Sequence, residues 1–495
     1  MTKILASVSA AALFAVACAA GTAQETAPPR PVENAAAGPA RSADEQTAAA
    51  MSSRSDVSRH DAARGAGYRA LHLCSGLFES EMSEELVYAT LSRSSRASSD
   101  LKDAIDRDAR TVSVTYLDDM PPRIAVYRDN LGCTQLPIGA SIDASENLIP
   151  WPADLPTPQL DSENWPMGDM NATADLPAAK SAALEAVLDD AFLDQEGPFK
   201  GDTWGVAIIL DSKIVAERYE EGYDKHVSAR TNSMCKSLSV SLVGVGVQKG
   251  LVDINAKAPL SAWRTPGDPR GEITLNDMLH MASGFWTSGP GNPQLDIYGS
   301  GAPPVEISAL NMMDAEPGTR FVYSGSDTIL STHAVREAAN IGDEWISFPH
   351  REFMWKLGMT RTAIETDWKN DFLISGQCWS TVRDFGRFGL LYLNDGMWNG
   401  ERILPEGWSE YVSTPAPAQP RSTLVGGAGY GAQFWLYGED QGMPVNGYSA
   451  AGALGQYAMI VPDKNLVIVR RGLDNGEGIS IAEFTAAVIA ALETE

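Results

Sequence analysis

The stretch from Thr231 to Gln248, TNSMCKSLSVSLVGVGVQ, contains a single charged residue. Apolar side chains recur at helical spacing from Met234 to Val245, and small residues occupy most other positions. A helix that is apolar or small on every side is buried, so this stretch predicts a helix at the centre of a domain. Its one charge, Lys236, is then buried as well, which is costly unless the amine has a partner or a use.

The same stretch places a serine where a buried lysine can activate it. Ser233 precedes Lys236 by three residues, which puts both side chains on one helix face. Burial lowers the pKa of a lysine, so a neutral amine can accept the serine proton. We therefore predict Ser233 as a nucleophile and Lys236 as its base. The alternative is a helix-start serine beside a lysine that extends to solvent.

Five motif stretches occur between Thr203 and the C-terminus: SMCKSLSVSLVGVGVQKGLVDI, ITLNDMLHMASG, EPGTRFVYSGSDTIL, STVRDFGRFGLLYLNDGMWNG and GALGQYAMIVPDKNLVIV. The S-x-x-K motif in the first is typical of penicillin-recognising serine enzymes. In order and approximate spacing, the five resemble the serine β-lactamase-related hydrolases. This broad family includes class C β-lactamases, family VIII esterases and 6-aminohexanoate-dimer hydrolases, and the last three stretches are most similar to the third group.

The resemblance implies a role for each residue of a catalytic set. Ser233 would be acylated, with Lys236 as its base, and Tyr323 stands where the family's second motif has its catalytic tyrosine. Beside a lysine ammonium a phenol can ionise or relay a proton, so Tyr323 would protonate the leaving group and help activate water. No cofactor is expected. No metal is expected either, since the sequence lacks CxxC, HExxH and HxH spacings.

The third family motif corresponds to YSAAGALGQ, residues 448–456. Classical β-lactamases have K-T-G there, and class C enzymes have Asn at the position of Gly325. Both departures favour an amidase or esterase over a β-lactamase. A strand N–H near Ala450 or Gly452 is expected to form an oxyanion hole with the N–H of Ser233. The predicted substrate-binding residues are Gly455, Gln456 and Trp379.

Several other residues have side chains that can react, and most of them are interpreted as parts of the fold or surface. Ser449 nearly matches a G-x-S-x-G nucleophile elbow, but the final glycine and the following helix are missing. His280 is interpreted as a satisfied structural histidine, and Cys235 as a packing residue. A second S-x-x-K, Ser99 to Lys102, lies in a polar run and is interpreted as solvated surface. Three tryptophans are interpreted as either pocket lining or core: Trp286, Trp379 and Trp435.

Strand-like runs at both ends of the main region predict its fold class. A hairpin is predicted from 204–210 and 214–219, and a second from 456–461 and 466–471, with helices over 179–192 and about 479–492. The long middle, about 230–440, is rich in helix signals. These patterns predict an α+β domain with one antiparallel sheet flanked by helices and a helical insertion. The resemblance implies the β-lactamase/transpeptidase-like form of that architecture.

Residues 1–23 have the features of a secretory signal. Lys3 precedes the apolar run Ile4–Ala17, and small residues follow. Gly21–Ala23 suits release of a soluble product, whereas Ala15–Cys18 resembles a lipoprotein box and would give a lipid anchor at Cys18. We therefore expect an exported, periplasmic or extracellular protein. No apolar run reaches the length of a spanning helix, so no transmembrane span is expected after signal removal.

The rest of the chain divides by composition. Residues 24–61 are rich in Ala, Pro, Ser and charge and predict a disordered tether; residues 62–147 predict a small N-terminal α/β module, residues 148–177 a proline-rich linker and residues 178–495 the main domain. In an exported protein Cys74 and Cys133 are expected to form a disulfide, with two free thiols as the alternative. The net charge of −26 would repel nucleic acid and anionic lipid.

The function expected from these features is a serine hydrolase that forms an acyl-enzyme with small amides or esters. Short linear oligoamides and D-amino-acid peptides are the specific expectations. A β-lactamase or D,D-peptidase is the alternative among enzymes. A non-catalytic envelope protein that binds ligands on the same fold is the alternative of another class. The expected partner is a small-molecule substrate, and the sequence identifies no protein partner.

Overall fold

The computed structural model describes residues 43–92, 101–286, 297–475 and 477–495. The chain divides into two units, Met1–Asp56 and Val57–Glu495, and every strand given below lies in the second. The predicted signal (1–23), the first part of the predicted tether (24–42) and Ser99 of the second S-x-x-K lie outside the described residues. Within the described residues, no helix is both long enough and apolar enough to cross a membrane.

Ten α-helices and sixteen strands are described. The helices are α1 Ala43–Cys74, α2 Glu84–Ser92, α3 Ala178–Ala191, α4 Cys235–Gln248, α5 Leu275–Leu279, α6 Pro304–Ala309, α7 Gly325–Ala339, α8 Val382–Leu393, α9 Trp408–Ser413 and α10 Ile481–Glu493. The strands are β1 Lys102–Asp106, β2 Thr111–Thr115, β3 Arg123–Arg128, β4 Gly132–Gln135, β5 Thr203–Leu210, β6 Lys213–Tyr219, β7 Ala229–Arg230, β8 Ala363–Ile364, β9 Cys378–Ser380, β10 Met397–Trp398, β11 Glu401–Arg402, β12 Gly429–Tyr430, β13 Trp435–Tyr437, β14 Gly447–Gly452, β15 Gln456–Val461 and β16 Leu466–Gly472.

The main sheet has seven antiparallel strands in the order β12-β13-β14-β15-β16-β5-β6. The N-terminal hairpin β5–β6 therefore pairs with the C-terminal strand β16, and the helix-rich middle is inserted between them. The turn between β5 and β6 is formed by Asp211 and Ser212, whose φ angles of 47° and 65° suit the tight turns that match strand twist. The predicted antiparallel sheet with flanking helices and a helical insertion is confirmed.

Helices cover both faces of this sheet, and alternate residues of β5 face them. Val206 and Ile208 pack in a core with α3 and α10, whereas Ala207 and Ile209 pack in a core with α4, α7 and α8. This alternation follows from the period of two along a strand. The helix predicted at the centre of the domain is α4, in which every residue from Cys235 to Gly246 is buried.

The N-terminal residues differ in part from the predicted organisation. Helix α1 begins at Ala43, inside the segment predicted as a disordered tether, because Ala, Glu, Gln and Met in this stretch favour helix. Strands β1 to β4 form a separate four-stranded sheet within the larger unit. Residues 148–177 run along that unit: Trp165 is buried, and its indole N–H donates to the carbonyl of Ser212 at 2.9 Å.

A buried guanidinium joins the small sheet to the rest of the unit. Arg123 is fully buried and donates to the carbonyl oxygens of Ala63 at 2.7 Å and Gly299 at 3.0 Å. It also donates to the carbonyls of Leu136 and Ser300, both at 3.1 Å. Burial lowers its pKa to about 10. One side chain thus satisfies four backbone acceptors from different parts of the chain.

We expect Arg123→Met to destabilise the protein by about 2–4 kcal/mol, because several buried carbonyls lose their donors and each unsatisfied group costs about 1–3 kcal/mol. Denaturant unfolding measures the change. The matched control is Arg110→Met, since Arg110 is an exposed partner of Asp129 and should change stability little. An Arg123 variant as stable as the parent would mean that the desolvation cost of the buried charge cancels its hydrogen bonds.

Candidate functional site

The serine predicted as nucleophile lies in a short turn that leads into α4. Asn232–Met234 form a 3₁₀ turn, and Asn232 has a φ of 49°, a left-handed conformation that asparagine tolerates. Its side-chain amide donates to the carbonyl of Ala453 at 2.8 Å. The N–H of Thr231 donates to the carbonyl of Cys378 at 2.8 Å. Ser233 is thus held at the positive end of α4.

The buried lysine lies one turn further along the chain. Lys236 is only 4% exposed, and its Nζ donates to the carbonyl oxygen of Ser375 at 2.6 Å. Desolvation lowers the pKa of Lys236 to about 7. A substantial fraction of the amine is therefore neutral at physiological pH, as a general base requires.

Tyr323 completes the group that the sequence predicted. The centroid of its ring lies 4.9 Å from Nζ of Lys236, and its side chain interacts with that of Ser233. Burial raises the pKa of Tyr323 above its ordinary value, and the interaction with the Ser233 side chain offsets part of the rise. The phenol is therefore neutral at pH 7 and suited to relay a proton rather than to stand as a phenolate.

Aromatic rings line one side of Tyr323. Its ring centroid lies 5.9 Å from that of Tyr430 and 5.5 Å from that of Trp435. Trp435, on β13, is half-buried, so it belongs to the wall of the site. Trp286 lies at the edge of the described residues, and its backbone N–H donates to the carbonyl of Met312 at 2.8 Å. Trp379 lies elsewhere, on β9.

The strand β14 approaches the serine turn very closely. Its pairing with β13 ends at Ser449, so residues 450–452 have no partner from β13. A Cβ at Gly452 would lie 2.4 Å from the carbonyl oxygen of Thr231 and 2.9 Å from the nitrogen of Ser233. Only glycine allows this approach. The structure thus brings the predicted oxyanion-hole strand to the Ser233 N–H, with Ala450 buried two residues earlier.

Two of the predicted substrate-binding residues, Gly455 and Gln456, make close contacts within the protein. The amide of Gln456 donates to the carbonyl of Leu454 at 2.8 Å and to that of Gly472, and accepts from Arg471 at 2.6 Å. A Cβ at Gly455 would lie 1.8 Å from the Arg470 guanidinium. Both residues shape the loop after β14, and their polar groups are already used there. Sequence alone could not reveal this, since both arginines lie on another strand.

The residues interpreted as structural have defined contacts. The hydroxyl of Ser449 donates to the carbonyl of Ala450 at 2.9 Å, and Nδ1 of His280 bonds to the carbonyl of Asn276 at 2.9 Å. Cys74 and Cys133 form a disulfide. The interpretation of Cys235 as a packing residue is wrong, because Cys235 forms a disulfide with Cys378.

The second disulfide supports the site directly. Cys235 is the first residue of α4, two positions after Ser233, and Cys378 begins β9. The chain just before Cys378 supplies the Ser375 carbonyl that holds Lys236. The two cysteines are 143 residues apart in sequence, so local sequence pattern could not predict that they pair. The even number of cysteines that remains without Cys18 was the one available signal.

A cluster of metal-ligand side chain types lies apart from these residues. Asp161, Asp169 and His226 place their ligand atoms near one another. Arg361 pairs with Asp161 at 2.7 Å, and Arg387 pairs with Asp169 at 2.9 Å. Because guanidinium groups already neutralise both carboxylates, we assign this cluster to structure.

A serine and a buried lysine at the start of a central helix, beside an antiparallel sheet, define the class of β-lactamase/transpeptidase-like folds. The family model described as Beta-lactamase matches residues 199–471, which is more than half of the chain. The chain therefore belongs to the β-lactamase family, a family of hydrolases.

Individual relatives agree with this assignment. The 6-aminohexanoate-dimer hydrolase of Paenarthrobacter ureafaciens is 25% identical over 324 residues, which cover 58% of this chain and 73% of that protein. A putative β-lactamase from Bacteroides dorei DSM 17855 aligns with a TM-score of 0.51 at 18% identity, over 62% of this chain and 98% of that chain. A family VIII carboxylesterase aligns with a TM-score of 0.51 at 13% identity, over 64% and 98%. The structural likenesses show the shared fold.

We expect kcat/KM for ester hydrolysis to rise with pH through about 7, because Lys236 accepts a proton only in its neutral form and its pKa is lowered to about 7. Well below that pH the rate should fall about tenfold per pH unit. Initial rates with p-nitrophenyl acetate, read at the isosbestic wavelength of p-nitrophenol and corrected with Ser233→Ala, measure the profile. A midpoint near the ordinary lysine pKa of about 10.4 would contradict the role of burial.

We expect replacement of the site disulfide by serines (Cys235→Ser with Cys378→Ser) to lower kcat about tenfold or more. The bond fixes the Ser233 turn against the segment that holds Lys236, and small misplacements of reacting groups are costly. Steady-state kinetics of the folded variant give kcat and KM separately. The matched control is Cys74→Ser with Cys133→Ser, which should reduce thermal stability and leave kcat close to the parent value. Equal kcat in both variants would show that the site disulfide only stabilises the fold.

Proposed function

We propose that this chain is an exported serine hydrolase that cleaves small amides or esters through an acyl-enzyme. Ser233 is the nucleophile, Lys236 is its base and Tyr323 relays the proton. The observation that carries the proposal is the buried amine, whose pKa is lowered to about 7 one turn from a serine at a helix start. A lysine that only stabilised the fold would gain nothing from such burial.

In the acylation step the neutral Lys236 accepts the hydroxyl proton of Ser233 as Oγ attacks the substrate carbonyl carbon. The N–H of Ser233 and a backbone N–H of β14, at Ala450 or Gly452, donate to the oxyanion. The proton then passes through the Tyr323 hydroxyl to the leaving nitrogen or oxygen. The bond from carbonyl carbon to leaving group breaks, and the acyl group stays on Ser233.

In deacylation the same groups act on water. Tyr323 and Lys236 take a proton from the water molecule as its oxygen attacks the acyl carbon. The tetrahedral intermediate collapses, the ester bond to Ser233 breaks, and Oγ recovers its proton. The products are a carboxylic acid and the amine or alcohol released earlier.

Two features support an amidase or esterase over a β-lactamase. Residues 447–452, GYSAAG, carry no lysine to bind the carboxylate of a β-lactam. The aromatic wall of Tyr430 and Trp435 beside Tyr323 suits an apolar chain. The relative from Paenarthrobacter ureafaciens is named for a linear amide substrate, and its likeness supports short linear oligoamides as substrates here.

The cysteines support the proposed export. Cys74–Cys133 and Cys235–Cys378 are both disulfides, and such bonds persist in oxidising compartments. Residues 1–23 would supply the signal, with release after Ala23 or a lipid anchor at Cys18.

A fluorophosphonate probe tests the nucleophile on residues 24–495. We expect one adduct by intact mass on the parent and none on Ser233→Ala, together with loss of p-nitrophenyl acetate and 6-aminohexanoate-dimer hydrolysis in that variant. Ser449→Ala is the matched control, because Ser449 is buried on β14. This variant should be labelled like the parent. Labelling that survives in Ser233→Ala would disprove the mechanism.

Nitrocefin separates the remaining functions. Turnover of nitrocefin that depends on Ser233 and exceeds the rates with esters and linear amides would favour the β-lactamase alternative. If the parent forms no adduct and hydrolyses none of these compounds, a non-catalytic binding protein on the same fold becomes the better account.

A further inference from the structure

The residue whose carbonyl holds the buried amine is itself held by a tyrosine. Nζ of Lys236 donates to the carbonyl oxygen of Ser375 at 2.6 Å. The side chain of the same serine is fully buried, and its hydroxyl hydrogen-bonds with the hydroxyl of Tyr298. Ser375 thus joins Tyr298 to Lys236, through its side chain on one side and its backbone on the other.

Tyr298 also lies directly against the residue that follows Ser375. A Cβ at Gly376 would lie 2.9 Å from the hydroxyl oxygen of Tyr298 and 3.2 Å from the ring carbon that carries it. A larger side chain at that position would force the phenol away from Ser375, so the glycine permits the approach. The carbonyl of Gly376 accepts from Nε of Arg230 at 3.1 Å. Three side chains therefore fix the two residues that present the carbonyl to Lys236.

The guanidinium of Arg230 connects Tyr298 to α1. Its central carbon lies 5.7 Å from the ring centroid of Tyr298 and 5.5 Å from that of Tyr68. It also donates to the hydroxyl of Tyr68 at 3.0 Å and bonds to Nε2 of His72 at 2.8 Å. A guanidinium is attracted to an aromatic ring at these distances. The ring of Tyr298 is therefore held in place by a charge that α1 itself binds.

The backbone on either side of Tyr298 is anchored as well. Ile297 is buried in the core. The carbonyls of Gly299 and Ser300 accept from the guanidinium of Arg123 on β3, at 3.0 and 3.1 Å. Residues from α1 and from the small sheet thus determine where the phenol of Tyr298 lies.

Tyr298 belongs to the electrostatic surroundings of the site. Burial is the main cause of the raised pKa of Tyr323, and the nearby phenol of Tyr298 adds to that rise. Its hydroxyl, however, is bonded to Ser375. Any effect on Lys236 through this bond passes through Ser375, which is the position of a residue that orients a base and does not itself transfer a proton.

We propose that Tyr298 is a positioning residue of this site: its hydroxyl orients Ser375 so that the serine carbonyl holds Nζ of Lys236 where the acylation of Ser233 requires it. The residues of α1 and β3 that fix Tyr298 thereby have a part in the reaction, which assigns a catalytic use to the N-terminal region. The inference rests on the proposed function, because it concerns the position of the proposed base.

Tyr298→Phe removes the hydroxyl and keeps the ring beside Arg230. We expect kcat for p-nitrophenyl acetate to fall about tenfold, because small misplacements of a reacting group are costly. KM should stay near the parent value, since Lys236 serves both acylation and deacylation and both steps slow. The midpoint of the pH profile should move upward by about half a pH unit, because an amine that is held less firmly on the Ser375 carbonyl is more readily hydrated.

Two further variants separate positioning from stability. Tyr392→Phe is the matched control, because the buried hydroxyl of Tyr392 bonds to that of Ser241 on α4 at 2.7 Å. It loses the same kind of bond and should keep the parent kcat and midpoint. Ser375→Ala removes the other partner of Tyr298, so the double variant with Tyr298→Phe should be no slower than the slower single variant. Equal kcat in Tyr298→Phe and Tyr392→Phe would overturn the inference while leaving the proposed function intact.

A measurement without turnover covers the case in which the parent hydrolyses nothing, which would contradict the proposed function itself. Trace acetylation with acetic anhydride over a range of pH, read by peptide mass, gives the pKa of Lys236 in Ser233→Ala. Adding Tyr298→Phe should raise that pKa by about 0.5, whereas adding Tyr392→Phe should leave it unchanged. In a protein without hydrolysis, an unchanged pKa in the Tyr298 variant would overturn the positioning of Lys236, and a raised one would support it.

Discussion

The burial of one amine determines most of the site. Lys236 is 4% exposed, and its Nζ donates to a neutral group, the carbonyl of Ser375. Water must be excluded on every side of α4 for this to happen, which explains why its whole length up to Gly246 is apolar or small. The cost of desolvating the amine is also what lowers its pKa to about 7. The burial that packs α4 into the core is therefore also the cause of the lowered pKa that the proposed base requires.

The segment from Ser375 to Trp379 connects the parts of the site. It supplies the carbonyl that holds Lys236, the carbonyl that accepts from Thr231, and the cysteine that is bonded to Cys235. Its last strand pairs with β7, where Arg230 contacts Tyr68 and His72 of α1. The N-terminal residues thus support the same segment that positions the serine turn, which gives them a part in the site and not only in the fold.

Local pattern was enough to predict some of these features. The hairpins and α4 follow from periodicity within a few residues, and the spacing of Ser233 and Lys236 places both on one helix face. The roles of Gln456 and Cys235 did not follow, because their partners, Arg471 and Cys378, are distant in sequence. Trp379 was predicted to bind substrate, and the structure places it on β9 in the lining of a cavity to which Asn232 also contributes. Contacts between residues far apart in sequence arise from the tertiary structure, and the pattern of a single sequence does not predict them.

The electrostatic state of the site follows from opposite effects of the same burial. Desolvation lowers the pKa of Lys236 and raises that of Tyr323, so both groups are driven toward their neutral forms. At neutral pH the Ser233 environment then holds little net charge before a substrate binds. In the proposed acylation, charge would appear only as the serine proton moves to the lysine and the carbonyl oxygen becomes an oxyanion. The dipole of α4 and the backbone of β14 at Gly452 are already oriented toward that charge, so little reorganisation is needed at the moment of reaction.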